Sequence, residues 1–172
     1  MNPAQDSSPK QTSPESEASS RLTGFAYWSV IALGCLGLLM AINQTFNLSL
    51  LGFQPLGNAY LYYLIGIFLA AALIVFPAWS GAKSRVSWYD WPLALLALGS
   101  CAYLGYHGLV MIQQGWDFMA PTEATVAASI LLVLVLEGVR RCGGWPLLGV
   151  ALLFGCYPLF ADSMPGFLWG NE

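Results

Sequence analysis

Five apolar runs, about Phe25 to Ile42, Ala59 to Trp79, Pro92 to Ile112, Ala124 to Val139 and Trp145 to Ala161, constrain this chain more than any other feature of its sequence. The hydrocarbon core of a bilayer is crossed by about 20 residues of helix, a length the second and third runs reach outright. The last two are shorter and rely on interfacial aromatic residues to extend them. The pattern predicts an all-α integral membrane protein, a bundle of about five transmembrane helices over residues 21–172, with four spans plus a re-entrant or interfacial piece as the alternative. Composition agrees: 57% of residues are hydrophobic and 9% charged, where soluble proteins carry about a quarter charged.

The basic residues give the chain an expected orientation. Short cytoplasmic loops collect Lys and Arg. Lys10 and Arg21 precede the first run, Lys83 and Arg85 lie between the second and third, and Arg140 and Arg141 lie between the fourth and fifth. The alternate connections, Asn43 to Asn58, Gln113 to Glu123 and the stretch after Asp162, hold no Lys or Arg. Five spans with a cytoplasmic N-terminus and the C-terminus outside place every cation on one side. The net charge of −3 owes much to Asp6, Glu15 and Glu17 near the N-terminus, so the membrane domain is close to neutral and nucleic acid is not an expected partner. Met1 to Ser20, rich in Ser, Pro, Gln and Glu, reads as a disordered cytoplasmic tail. Its long acidic start argues against a cleaved signal peptide.

The polar break Glu137-Gly-Val-Arg140-Arg141-Cys-Gly-Gly-Trp145-Pro146 separates the fourth and fifth runs and reads as a hinge at the level of the lipid headgroups. Glu137 is the only acid inside an apolar run, a position that elsewhere marks ion or proton sites. Arg140 and Arg141 stand three and four residues further on, where a helical glutamate meets them on one face. An ion pair at the helix end is therefore preferred to a coupling site. Before the third run, Trp88-Tyr89-Asp90-Trp91 follows Lys83 and Arg85 and precedes Pro92. It reads as an interfacial aromatic belt that sets the depth of the third helix, with a contact surface for another protein as the sharper alternative.

Little else offers chemistry. Cys35, Cys101, Cys142 and Cys156 lack metal or redox spacing, and a single histidine, His107, cannot form a bis-histidine haem site by itself. His107 is expected at an interface or bonded to a neighbouring carbonyl, with a proton relay as the alternative. No nucleophile, zinc or nucleotide-binding motif occurs, so the expectation is a non-enzyme without cofactor or metal. Small residues at helical spacing, Gly34 and Gly37, Gly66 and Ala70, and Ala97, Cys101 and Gly105, predict close helix contacts, either within the bundle or with a partner.

The run Leu134 to Pro146, followed by an apolar helix with Tyr157 and closing on Pro165-Gly166, resembles the small (Q) subunit region of tripartite ATP-independent periplasmic (TRAP) transporters, most closely the TAXI subgroup. Trp88-Tyr89-Asp90-Trp91 is similar to the corresponding element there. The likeness covers roughly Trp88 to Gly166, and Gly138 and Val139 stand where the usual pattern has Ala and Thr. The resemblance implies a multi-pass bacterial inner-membrane protein that scaffolds the large permease (M) subunit of a secondary-active, ion-gradient-driven symport system for organic acids or similar solutes, working with a periplasmic solute-binding protein. Trp88, Tyr89, Asp90, Trp91, Glu137, Arg140, Arg141, Trp145 and Pro146 would then form its interface with partner and lipid bilayer. The alternatives from other classes are a small membrane enzyme or electron-transfer subunit using His107 and the cysteines, and a membrane protein that assembles with itself.

Overall fold

The computed structural model describes residues 22, 24–49, 52, 54–55, 57–79, 86–116 and 118–160. The expected tail, Lys10, Arg21, Lys83, Arg85 and everything from residue 161 on lie outside them. Among the described residues the elements are helices: α1 (Phe25–Phe46), α2 (Gly57–Val75), α3 (Asp90–Tyr106), α4 (Gly108–Gln114) and α5 (Thr122–Phe160). By length and apolarity α1, α2 and α5 can each cross a membrane, and α3 with α4 makes a fourth crossing if that bent pair is one span. This is the architecture of a helical membrane-embedded protein.

Two of the expected segments differ in shape. The run Pro92 to Ile112 is two helices, α3 and α4, bent by 49°. His107 at the joint has left helical geometry (φ −87°, ψ 6°), and its own N–H is donated to the Tyr103 carbonyl. The bend seats Gly108 on the start of α2, where an added Cβ would lie 3.0 Å from the Ala59 side chain. The second difference concerns the hinge. Helix continues through Glu137, Arg140 and Arg141, and the break falls at Gly144 (φ 72°, ψ −171°). That backbone conformation is essentially restricted to glycine, and Pro146 follows in the next first turn, where a missing N–H is harmless. A polar sequence had suggested a break over its whole length, but a helix tolerates charges that are paired, so only the Gly-Gly-Trp-Pro end stops it. Residues 122–143 extend about 33 Å and 145–160 about 24 Å at 1.5 Å per residue, against a core of about 30 Å.

Helix α2 is central. It packs most extensively on α3, then on α1, while α5 lies against α3 and α2. The contact surfaces are made of small residues flanked by larger aliphatic ones: Ala26, Ala70, Ile74 and Ala94 form one buried cluster, Leu73, Ala97 and Leu134 a second, and Cys101, Leu104 and Leu131 a third. Close approach is enforced at Gly66, where a Cβ would come within 2.7 Å of the Cys101 Cβ. The small-residue positions Gly37, Gly66, Ala70, Ala97, Cys101 and Gly105 are thus buried inside the bundle, whereas Gly34 is exposed with open space around it.

The chain runs up and down, so that the start of α1, the end of α2, the start of α3 and the 137–141 stretch of α5 share one end. The rings of Phe25 and Trp91 lie 5.2 Å apart there. At the other end Tyr103 of α3 donates to Glu123 of α5 over 3.4 Å.

Candidate functional site

Among the described residues, four charged side chains from two helices close the shared end. In α5, Glu137 receives Arg140 in a fork: Arg140 Nε donates to Glu137 Oε2 and Nη2 to Oε1, each at 2.7 Å. Arg141 Nε donates to the same Oε1 at 2.8 Å. Helical spacing of three and four residues produces this grouping. Arg141 then reaches across to α3, with Nη1 2.7 Å from Asp90 Oδ1, and both side chains are buried, at 1% and 0% exposure. Two arginines and two carboxylates make the group neutral, the condition under which charge is tolerated away from water.

Backbone carbonyls at the end of α2 complete it. Arg141 Nη1 lies 2.9 Å from the Leu73 carbonyl oxygen and 3.3 Å from that of Phe76, and Arg140 Nη2 donates to the Ala78 carbonyl at 3.2 Å. The last carbonyls of a helix have no partner inside it and carry the negative end of its dipole; Arg141 meets that of Leu73, which Pro77 cannot, while Phe76 and Ala78 lie just past the helix end. Asp90 is placed by its own turn: its N–H donates to the Ser87 carbonyl at 3.0 Å, and its Oδ2 accepts the Ser87 N–H at 3.1 Å. A carboxylate in the first turn of α3 also meets the positive end of that helix. One cluster therefore fastens the end of α2, the start of α3 and the middle of α5.

The residues singled out in the sequence divide accordingly. Asp90, Glu137, Arg140 and Arg141 come together in the cluster. Trp91 packs on the α1–α2 contact beside Phe25, and Tyr89 is half-buried. Trp88 is 81% exposed and takes no part in the cluster. Trp145 is 72% exposed with the Arg140 guanidinium 5.7 Å from its ring centroid, and Pro146 is exposed. Sequence reasoning grouped Glu137 with its near neighbours but left Asp90 in an aromatic belt, because its partner lies 51 positions away. The signal was present in the expected orientation, which puts Asp90 and Arg141 at the same membrane face. The carbonyls of Leu73, Phe76 and Ala78 leave no trace in side-chain chemistry.

At the opposite end His107 Nδ1 is 2.9 Å from the Tyr103 carbonyl oxygen, and its ring is flanked by Tyr103, Tyr106 and Trp116. Cys101 is buried between α2 and α3, whereas Cys35, Cys142 and Cys156 are exposed. No grouping of His, Cys, Asp and Glu suited to a metal ion occurs among the described residues. An apolar groove of about 400 Å³ lies between α2 and α4, lined by Asn58, Leu61, Tyr62, Ile65, Met111 and Ile112.

No protein-family model, curated protein or solved structure matches the chain.

Proposed function

We propose that this protein is a small scaffold subunit of a membrane transport complex of the TRAP type, holding a large permease subunit in the bacterial inner membrane while a periplasmic binding protein delivers an organic acid or similar solute. One observation carries the reading. Asp90, Glu123, Glu137, Arg140 and Arg141, the charged side chains among the described residues, are all bonded to other groups of the same chain. Charged groups in membrane segments commonly serve ion or substrate pathways, and here the main cluster fastens three helices instead. A frame of this kind supports a partner that moves the solute. The Leu134 to Pro146 resemblance supports a large TRAP permease as that partner.

In this reading the cluster faces the cytoplasm, together with Lys83 and Arg85, and the chain makes five crossings, the last by residues after Gly144. Purification of the tagged chain from its native membranes in mild detergent tests it. The expected co-purifying protein is a large multi-span permease, and solute uptake by that permease reconstituted with its binding protein should fall when this chain is omitted. Recovery of the chain only as a self-assembly, or with a visible haem or metal absorption, would replace the reading with one of its rivals.

A further inference from the structure

Beyond Gly144 the chain behaves differently from the rest of α5. Residues 122–138 contribute Ala124, Leu131, Leu134 and Gly138 to the buried interior, but none of residues 145–157 is buried and none enters a core cluster. Leu153 and Phe154 are each 70% exposed. This arm leaves the bundle through a glycine with non-helical φ and ψ of 72° and −171°, so its direction is not fixed by continuity of the helix. Gly143 helps the chain turn closely: a Cβ there would collide with Leu147, 2.2 Å from its Cδ2.

Trp145, the first residue of the arm, has its ring 5.7 Å from the guanidinium carbon of Arg140. That guanidinium is not free to follow the ring. Two bonds to Glu137 and one to the Ala78 carbonyl, beyond the end of α2, hold it. A ring face attracts a cation, and most strongly when the ring is tryptophan. We propose that Arg140 and Trp145 form a latch that sets the direction of the 145–160 arm relative to the bundle, with Gly144 as its swivel and Glu137 as the residue that positions the Arg140 plane. The latch ties the arm to the end of α2 and not only to its own helix. The inference concerns the chain itself and is independent of which partner it serves.

The native cysteines provide the test. Cys35 on α1 and Cys156 on the arm are exposed, and Cys101 is buried. In the full chain in lipid nanodiscs, with Cys142→Ser to leave two reactive thiols, spin labels on Cys35 and Cys156 should give one narrow distance distribution. Trp145→Leu, which keeps an apolar side chain at an exposed site but removes the ring, should broaden it about twofold or more, in line with the loss of a cation–ring contact. Trp145→Phe should restore most of the narrowness. Glu137→Gln should broaden the distribution without touching the arm. Helical content by circular dichroism in each variant separates a loosened arm from an unfolded chain. A broad distribution in the parent, or equal widths for the Leu and Phe variants, would overturn the latch.

Discussion

The two ends of this bundle are held by different physics. At one end two arginines bind two carboxylates and donate to three backbone carbonyls at and just past the end of α2, with the Arg141–Asp90 pair fully enclosed. At the other end the helices meet through shape: Gly105 lies under the Tyr63 ring, Gly108 rests on Ala59, and the polar contact from Tyr103 to Glu123 is long and exposed. A contact made of shape fails gradually, because neighbours relax into the space that a substitution opens or crowds. A closed ionic cluster does not, since removal of one member leaves another buried without its counter-charge. The first end should therefore respond to substitution steeply and the second mildly.

The largest effect is expected from Asp90→Ala. It removes the fully buried counter-charge 2.7 Å from Arg141 and leaves two arginines sharing the single carboxylate of Glu137; loss of one member of a buried pair destabilises by about 3 to 5 kcal/mol, which thermal unfolding in detergent should register as a large fall in Tm. Between the two ends lies the α2–α3 contact, which tests packing alone. Gly66→Ala forces a Cβ to within 2.7 Å of Cys101, and overpacking of this kind costs about 1 to 3 kcal/mol. The companion change Cys101→Gly should recover part of that loss, whereas no recovery would mean that the helices do not meet at this pair. The smallest effect is expected from Tyr103→Phe, which removes the exposed bond to Glu123. Its Tm should match the parent's, and a fall approaching that of Asp90→Ala would erase the distinction between the ends.

Much of the architecture could be read from the chain because lipid imposes a simple rule: apolar runs of sufficient length become helices, and cations gather between alternate pairs. Helices α1 and α2 and the first part of α5 follow from that rule alone. What it could not supply were the two breaks. The bend at His107 goes with the seating of Gly108 on Ala59, a contact between segments far apart in sequence. Gly144 ends its helix by a backbone angle, while the charges that looked like the break are helical because they are paired. The cluster was half legible. Spacing of three and four residues joins Glu137 to Arg140 and Arg141, but Asp90 reaches Arg141 only through packing of α3 on α5, and its aromatic neighbours suggested an interfacial belt instead. The small-residue stripes told that helices approach closely without telling which, and most of them are used within the bundle.

The charges at this end fasten helices together, and a double-mutant cycle on Asp90 and Arg141 puts that to the test. Asp90→Leu leaves the buried cluster with one positive charge in excess and Arg141→Met with one negative charge in excess, while the double variant keeps it neutral. Chemical unfolding in a fixed detergent should show each single variant strongly destabilised and the double variant well above the sum of the two losses, with a coupling of at least about 1 kcal/mol. Additive losses, with the double variant as unstable as both singles combined, would show that Asp90 and Arg141 do not hold one another and that the helices are fastened by other contacts.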